Sequence, residues 1–231
     1  MELDKITSVT LPKARRWYQD ACGTALAMDL VGERWTLLIM RELLLGPRRF
    51  GEIRRGLVGL SANVLTQRLE GLEQAGIVRR RQLPSPANAQ VYELTRWGMA
   101  SEDAIFALSR WAAGSLAHDV TLPLSNTAFM LSLKTMIDRD RARCLAIDLG
   151  FRVGGEPFRA AIVDGGLAIR RADPAGAEVT FAGQPSQLAA VFYGPRPLAE
   201  TQARGLVTVT GDAARAQAFV DCFALPVFDN D

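Results

Sequence analysis

The sequence predicts an α+β protein of two domains, one over residues 1–120 and the other over residues 128–231. Helical periodicity followed by two strand-like runs marks the first part, whereas strands and helices alternate in the second part. Positive charge is also concentrated in the first part. Residues 119–127, with Pro123 among them, separate the two patterns and are the expected linker.

The bulk composition excludes several classes of protein. With 48% hydrophobic and 23% charged residues, the 231-residue chain has enough apolar side chains to form the hydrophobic cores of globular domains. It has no apolar run of eighteen residues and no signal-peptide pattern at its start, so we predict a cytoplasmic protein outside the membrane. Three cysteines without a CxxC pair and a single histidine, His118, predict neither a metal site nor a cofactor.

The first domain is predicted to begin with helices that end at clear stop signals. A helical segment over residues 21–45 is interrupted near Gly32 and ends at Gly46-Pro47. A short helix is expected over residues 48–57, with Phe50, Ile53 and Leu57 sharing one face.

The next elements complete a recognisable order. Ser61 is a plausible N-cap for a helix that runs to Gln74. Strands over residues 77–83 and 90–94 form a hairpin, and a long helix is expected from Thr95 to about His118. This is the order of elements in a winged helix-turn-helix: two helices, a turn, a polar-faced helix, a hairpin and a further helix.

The polar-faced helix has the side chains that reading of base edges requires. Its buried stripe is Leu65, Leu69 and Leu72, and Asn63, Thr66 and Gln67 lie about half a turn away. Residues 41–96 contain ten arginines against five glutamates, which suits contacts with phosphates. The alternatives are an ordinary hydrated helix face and a solvated basic surface. The predicted DNA-contacting residues are Arg48, Arg49, Arg55, Ser61, Asn63, Thr66, Gln67, Arg68, Arg79, Arg80 and Arg81.

Nearly half of the chain resembles the HxlR family of bacterial regulators, which are relatives of the MarR class. The resemblance rests on CGTALAMDLVGERWTLLI at 22–39, on residues 41–53 and 60–69, on LEQAGIV at 72–78 and on YELTRWG at 92–98. It implies a homodimer that binds a two-fold related operator in double-stranded DNA. Its outer helices would pack together, and residues 17–28 and 110–116 are the expected dimer surfaces.

The resemblance also singles out Cys22, because many members of the family have a cysteine there and some use it for redox sensing. Gly23 follows it where those members often have proline. A thiolate at Cys22 would react with oxidants or electrophiles. The alternative is a small buried apolar residue, since no lysine or histidine is adjacent.

The second domain is predicted from strands over residues 144–153, 158–163, 167–171, 178–181 and 206–210, with helices over residues 186–193 and 213–224. Asp164-Gly-Gly166 is a hairpin turn. Residues 132–223 resemble the sterol-carrier-protein type of lipid-binding domain, through VDGGL at 163–167, EVTFAG at 178–183, FYG at 192–194 and GLVTVTGD at 205–212. This resemblance implies a twisted sheet capped by helices around an apolar cavity. Ordinary core packing is the alternative for the expected lining residues, which are Phe181, Leu188, Val191, Phe192 and Phe219.

The leading hypothesis is a homodimeric DNA-binding transcription regulator that an apolar small molecule modulates through its second domain. The alternative is a carrier of lipids or other hydrophobic ligands whose N-terminal half only dimerises. An enzyme is not expected, because Asp138, Asp140 and Asp148 have no phosphate loop, metal set or nucleophile motif beside them.

Overall fold

The computed structural model describes residues 18–194 and 197–226. It divides into two compact units between Glu102 and Asp103. The linker expected at residues 119–127 lies later in the chain. The helix Glu102–Ala113 therefore falls almost entirely in the second unit, where the ammonium of Lys134 lies 5.5 Å from the ring centroid of Phe106.

The first unit is a winged helix-turn-helix, as predicted. Its helices are α1 (Gly23–Val31), α2 (Thr36–Leu43), α3 (Phe50–Gly56), α4 (Ala62–Gln74) and the short α5 (Arg96–Met99). Strands β1 (Val78–Gln82) and β2 (Gln90–Leu94) form an antiparallel hairpin, the wing, between α4 and α5.

A compact apolar core fixes the orientation of α4. Leu65, Leu69 and Leu72 are at most 1% exposed, as the sequence predicted for this stripe, and they share the core with Ile39 and Ile53. The Ser61 hydroxyl caps α4 by accepting a hydrogen bond from the N–H of Val64 at 3.3 Å. The opposite face of α4 is consequently left for solvent.

The prediction of one long helix from Thr95 to about His118 is wrong, because the helix that begins at Arg96 ends at Met99. Helix α6 (Glu102–Ala113) follows as a separate element. The Thr95 hydroxyl caps α5 by accepting from the N–H of Gly98 at 3.0 Å, and the Ser101 hydroxyl donates to the Gly98 carbonyl at 2.7 Å. These two side chains satisfy the backbone at both ends of α5, so it stops after one turn.

The second unit is a five-stranded sheet with helices. Strands β3 (Asp148–Val153), β4 (Glu156–Val163), β5 (Gly166–Arg170), β6 (Val179–Gly183) and β7 (Val207–Gly211) lie in the order β5-β4-β3-β6-β7. Only the β3–β6 pair is parallel among these five strands. Besides α6, the helices of this unit are α7 (Asn126–Met136), α8 (Arg139–Ala142), α9 (Pro185–Tyr193), α10 (Leu198–Ala203) and α11 (Ala213–Val220).

All five strands predicted from the sequence are present, with ends shifted by a few residues. The largest shift is at β3, which begins at Asp148 instead of residue 144. The turn at Asp164-Gly165 is confirmed: both residues have positive φ, 51° and 73°, and Val163 pairs directly with Gly166. The predicted helix 213–224 ends at Val220, because Phe223 forms a β-bridge with Ile137.

Candidate nucleic-acid interface

The predicted base-reading side chains lie together on the exposed face of α4. Asn63, Thr66 and Gln67 are all exposed, on the side away from the buried leucines. The Thr66 hydroxyl donates to the Ala62 carbonyl of its own helix at 3.1 Å. The amides of Asn63 and Gln67 are therefore the principal groups here for bidentate contact with a base.

Arg68, predicted on the flank of this face, is engaged within the protein. Its Nε donates to the Arg34 carbonyl at 3.0 Å, and its Nη2 donates to Glu33 at 2.9 Å. The side chain is 23% exposed. It thus ties α4 to the loop before α2, a role that sequence spacing did not indicate.

Arg48 departs from the predicted basic surface. It is 7% exposed and precedes α3, and its backbone N–H and C=O pair with those of Tyr92 at 2.9 and 2.8 Å. Arg48 therefore adds a short third pairing to the wing, and its side chain is not displayed for phosphates. Arg49 and Arg55 are exposed at the two ends of α3, as the prediction requires.

The three consecutive wing arginines are split between the two faces of β1, because successive side chains on a strand point to opposite sides. Arg79 and Arg81 both contact Glu93 of β2. The Arg79 Nη2 lies 2.6 Å from one carboxylate oxygen, and the Arg81 Nη2 lies 3.0 Å from the other. The side chains of Arg79 and Arg81 remain 66% and 44% exposed.

Glu93 itself is nearly buried beneath these arginines, with a side chain that is 12% exposed. Burial acts to raise its pKa, but hydrogen bonds from Arg81 and Arg79 outweigh that effect and hold the pKa below its ordinary value. The carboxylate is therefore ionised at neutral pH. The group of three side chains has one net positive charge.

Arg80 occupies the other face of the wing and contacts the end of α4. Its Nη2 and Nε donate to the two carboxylate oxygens of Glu73, at 2.7 and 3.3 Å. Its guanidinium carbon lies 5.5 Å from the ring centroid of Tyr92, which is paired with Arg80 in the hairpin register.

Glu73 and Glu93 are the residues of this surface that sequence reasoning missed. The hairpin register supplies a signal for one of them, since a loop over residues 83–89 places Arg79 opposite Glu93. No comparable sequence signal pairs Glu73 with Arg80, because that contact depends on the angle between a helix and a strand.

Cys22 lies at the N-terminal end of α1 and is exposed, which is contrary to the small buried residue that was one of the two alternatives. Hydrogen bonds from the backbone and hydroxyl of Thr24 and from the backbone of Ala25 lower the pKa of its thiol below the ordinary value. A lower pKa raises the fraction of reactive thiolate at neutral pH.

The predicted ligand-lining residues form one packed cluster in the second unit. Phe181, Leu188, Val191, Phe192 and Phe219 are each at most 2% exposed. The rings of Phe181, Phe192 and Phe219 lie 5.3–6.0 Å apart between centroids. An apolar ligand at this place would have to displace some of these side chains.

The predicted dimer surfaces are exposed apolar segments. None of the residues of α1 is buried, and Leu26 and Met28 are 40% and 41% exposed. At the end of α6 and just beyond it, Trp111 is 70% exposed and Leu116 is 92% exposed. Trp17, at the start of the predicted surface 17–28, lies outside the described residues.

Among the described residues, no helix combines the length and the apolar character needed to cross a membrane. No group of three or more His, Cys, Asp or Glu side chains there is placed to hold a metal ion.

Comparison with known proteins identifies the family. The sequence profile of the HxlR-like helix-turn-helix matches residues 30–119. The uncharacterized HTH-type transcriptional regulator YvaP of Bacillus subtilis is 40% identical over 86 residues, which are 37% of this chain and 80% of YvaP. The chain belongs to the HxlR-like helix-turn-helix family. The predicted resemblance is thereby confirmed for the N-terminal region, and the MarR-like, DNA-binding character of the family applies to it.

Two further HTH-type transcriptional regulators are similar to part of this chain. The HTH-type transcriptional regulator YodB of B. subtilis is 38% identical over 86 residues, 37% of this chain and 77% of YodB. The regulator Rv3095 of Mycobacterium tuberculosis is 42% identical over 98 residues, 42% of this chain and 60% of Rv3095.

Solved structures also align with this chain. The reduced form of YodB covers 42% of this chain and 98% of its own, with 35% identity and a TM-score of 0.38. A structure described as quinone-bound YodB has 35% identity and a TM-score of 0.34, and the match covers 38% of this chain and 93% of that chain. A structure described as the redox regulator HypR in its oxidized form has 26% identity and a TM-score of 0.39, and the match covers 42% of this chain and 99% of that chain.

Proposed function

We propose that the protein binds a two-fold related operator as a homodimer and regulates transcription there. The observation that carries this proposal is the exposed polar face of α4, with Asn63 and Gln67 displayed opposite a buried leucine stripe. Exposed Arg49 and Arg55, together with Arg79 and Arg81 of the wing, supply the phosphate contacts that position such a helix in the major groove.

Exposed apolar segments support the dimer. A helix that buries none of its residues, as α1 does, gains little stability from its own chain and needs a partner surface. The exposed Trp111 and Leu116 offer the large apolar contacts that interface cores favour. A symmetric dimer then presents two recognition helices about 34–36 Å apart, one turn of DNA.

The experiment that tests this function selects duplexes from a random library with the purified protein and then titrates the enriched sequence. We expect a site with two inverted halves, two chains per duplex, and affinity that falls steeply with salt. If sedimentation showed a monomer that binds a single half-site tightly, the proposal of a homodimer would be contradicted. Equal affinity for selected and shuffled duplexes would contradict the proposal of a sequence-specific regulator.

The second unit is proposed as a sterol-carrier-like sensor of an apolar small molecule. What supports this is a sheet accompanied by helices and a wholly apolar cluster around Phe181, Phe192 and Phe219. A lipid carrier whose N-terminal half only dimerises remains the competing function. The polar face of α4 speaks against it, because a dimerising helix has no need of exposed amides opposite its core.

A thiol-based response at Cys22 is a second candidate function, favoured by the exposure of the residue and its lowered pKa. Relatives whose solved forms are described as quinone-bound and redox-regulating are consistent with it.

Because the thiolate is the reactive form, modification of Cys22 by a quinone should stay fast at pH values where an ordinary thiol has slowed. It should then decline as the pH falls through the lowered pKa. Mass spectrometry of modified peptides between pH 5 and 9 measures this, and Cys144, also exposed, is the internal control. Loss of the DNA response to quinone in Cys22→Ser but not in Cys144→Ser is the expected result. A response that survives in Cys22→Ser contradicts this role.

A further inference from the structure

The wing carries three arginines in succession, and the structure separates them into two chemically different sets. Arg79 and Arg81 share the carboxylate of Glu93, and their side chains are 66% and 44% exposed. The side chain of Arg80 is 48% exposed, so the two sets differ in the carboxylate that they contact and in the face of β1 that they occupy, and not in exposure. Arg80 points the other way, onto the C-terminal part of α4. Because successive side chains on a strand point to opposite faces, Arg80 and the pair Arg79 and Arg81 do not face the same phosphates.

We propose that the Arg80–Glu73 ion pair is a positioning contact, which sets the angle of the wing relative to α4 so that Arg79 and Arg81 reach the phosphates. The proposal rests on the proposed function, since it assumes that α4 and the wing bind DNA together. Arg80 acts on DNA binding through Glu73, and it is not itself a phosphate ligand.

The hydrogen-bond geometry supports a positioning role. Two donors of Arg80 are directed at the two oxygens of Glu73, which is the bidentate arrangement that fixes orientation as well as distance. The Glu73 side chain is only 23% exposed. The guanidinium also lies over the ring of Tyr92, so Arg80 is held from its own sheet and from the helix at once.

The base of the wing shows what this contact adds. The turn from α4 into β1 is short, and it is closed by a hydrogen bond from the N–H of Ile77 to the Leu72 carbonyl at 2.9 Å. The Thr95 hydroxyl donates to the Gly76 carbonyl at 2.7 Å. These bonds hold the hairpin at its root, whereas the Arg80–Glu73 pair lies further along β1 and fixes the direction in which the hairpin projects.

The two possible roles of Arg80 predict opposite changes in operator affinity for the substitution Glu73→Gln. If Arg80 only supplied positive charge, removing the glutamate would release it for phosphates and tighten binding. If the pair positions the wing, the same substitution weakens binding to the selected operator. We expect Glu73→Gln and Arg80→Gln each to weaken it about two- to fivefold, the range of a well-aligned but partly exposed ion pair.

The salt dependence of DNA binding distinguishes Arg80 from the pair Arg79 and Arg81. Arg81→Gln is expected to lower the slope of log K against log[salt] by about one unit, because a phosphate contact is lost. Arg80→Gln should leave that slope unchanged while reducing the affinity. The exchanged pair Glu73→Arg/Arg80→Glu, which restores an ion pair of inverted polarity, should bind more tightly than either of its single reversals.

The matched control is Glu70→Gln, which removes the same charge from the same helix one turn earlier without breaking the bidentate pair. It is expected to leave the affinity equal or to tighten it. Amide hydrogen exchange in β1 and β2, measured without DNA, provides a second readout. Exchange should quicken in Glu73→Gln and Arg80→Gln but not in Glu70→Gln.

Three results would overturn the positioning role: tighter binding by Glu73→Gln, a salt slope reduced by about one unit in Arg80→Gln, or hairpin exchange unaffected by both substitutions. Failure of the proposed function would look different, since the unaltered protein would then select no DNA sequence while the exchange experiment still reported the ion pair.

Discussion

At the scale of single residues, the display of amides on α4 depends on one simple condition. A helix that buries Leu65, Leu69 and Leu72 on one side must expose the positions half a turn away. Asn63 and Gln67 occupy those positions and are exposed. Each presents a donor and an acceptor in one plane, which matches the edge of adenine in the major groove.

We therefore expect Asn63→Ala and Gln67→Ala each to cost about 1–3 kcal/mol of binding free energy on the selected operator. Binding to shuffled DNA should change little, because phosphate contacts are retained. Competition titrations with the two duplexes measure the difference. Gln74→Ala is the matched control, since it removes an exposed amide from the far end of the same helix. Parallel losses on both duplexes would reject base reading by these residues.

Sequence periodicity identified which residues of α4 face outward, but it did not identify their partners within the protein. Arg68 was predicted on the DNA flank, yet Glu33 and Arg34, far earlier in the chain, engage its guanidinium. Arg48 was predicted to contact phosphates but is 7% exposed, and its backbone forms a bridge with Tyr92. Both outcomes depend on how separate elements meet, and a one-dimensional pattern of arginines does not contain that information.

At the scale of elements, the junction of α5 with the hairpin shows how a close approach of backbones shapes the first unit. Gly98 of α5 is buried, and a Cβ added to it would lie on the carbonyl oxygen of Ile77. The Thr95 N–H donates to that same carbonyl at 2.9 Å. Only a residue without a side chain lets α5 begin so near the start of β1.

Gly98→Ala is consequently expected to destabilise the first unit. Alanine gains about 1 kcal/mol over glycine in helix propensity. The clash with a backbone oxygen outweighs it, because overpacking typically costs about 1–3 kcal/mol and backbone cannot move aside as a flexible side chain does. Gly51→Ala in α3 is the control, since nothing lies within 4 Å of its added Cβ. Hydrogen exchange at β1 and β2 amides measures the effect, and equal stability of the two variants would contradict this account.

The elements of the second unit differed in how well the sequence predicted them. Strands β4 and β5 were found because Asp164-Gly165 is a strong turn signal between two apolar runs. Helix α7 was missed because eight of its eleven residues are buried, so it lacks the polar stripe that reveals a helix by its period. Its burial comes from packing on β5 and α9, which no local pattern records.

At the scale of the whole molecule, the net positive charge and the exposed amides of α4 belong to the first unit, whereas the second unit is built around clustered phenylalanines. A sensor can influence DNA binding only if its ligand has different affinities for two arrangements of the dimer. The coupling free energy, and not the size of the second unit, therefore decides whether it regulates.

The last prediction concerns that coupling. An apolar small molecule that enters the cluster of Phe181, Leu188 and Phe192 should stabilise the chain by about 2.7 kcal/mol at a hundred times its dissociation constant. It should also change operator affinity by roughly 5–150-fold, the usual span of coupling between sites. Because the cluster is tightly packed, binding must displace a ring, and Phe219→Ala should admit larger ligands while costing about 3–5 kcal/mol of stability. A thermal-shift screen of apolar ligands, followed by operator titration with and without the best of them, measures both effects. The sensing role fails if no ligand class raises the melting temperature and a chain shortened to residue 120 binds the operator with unchanged affinity and regulation.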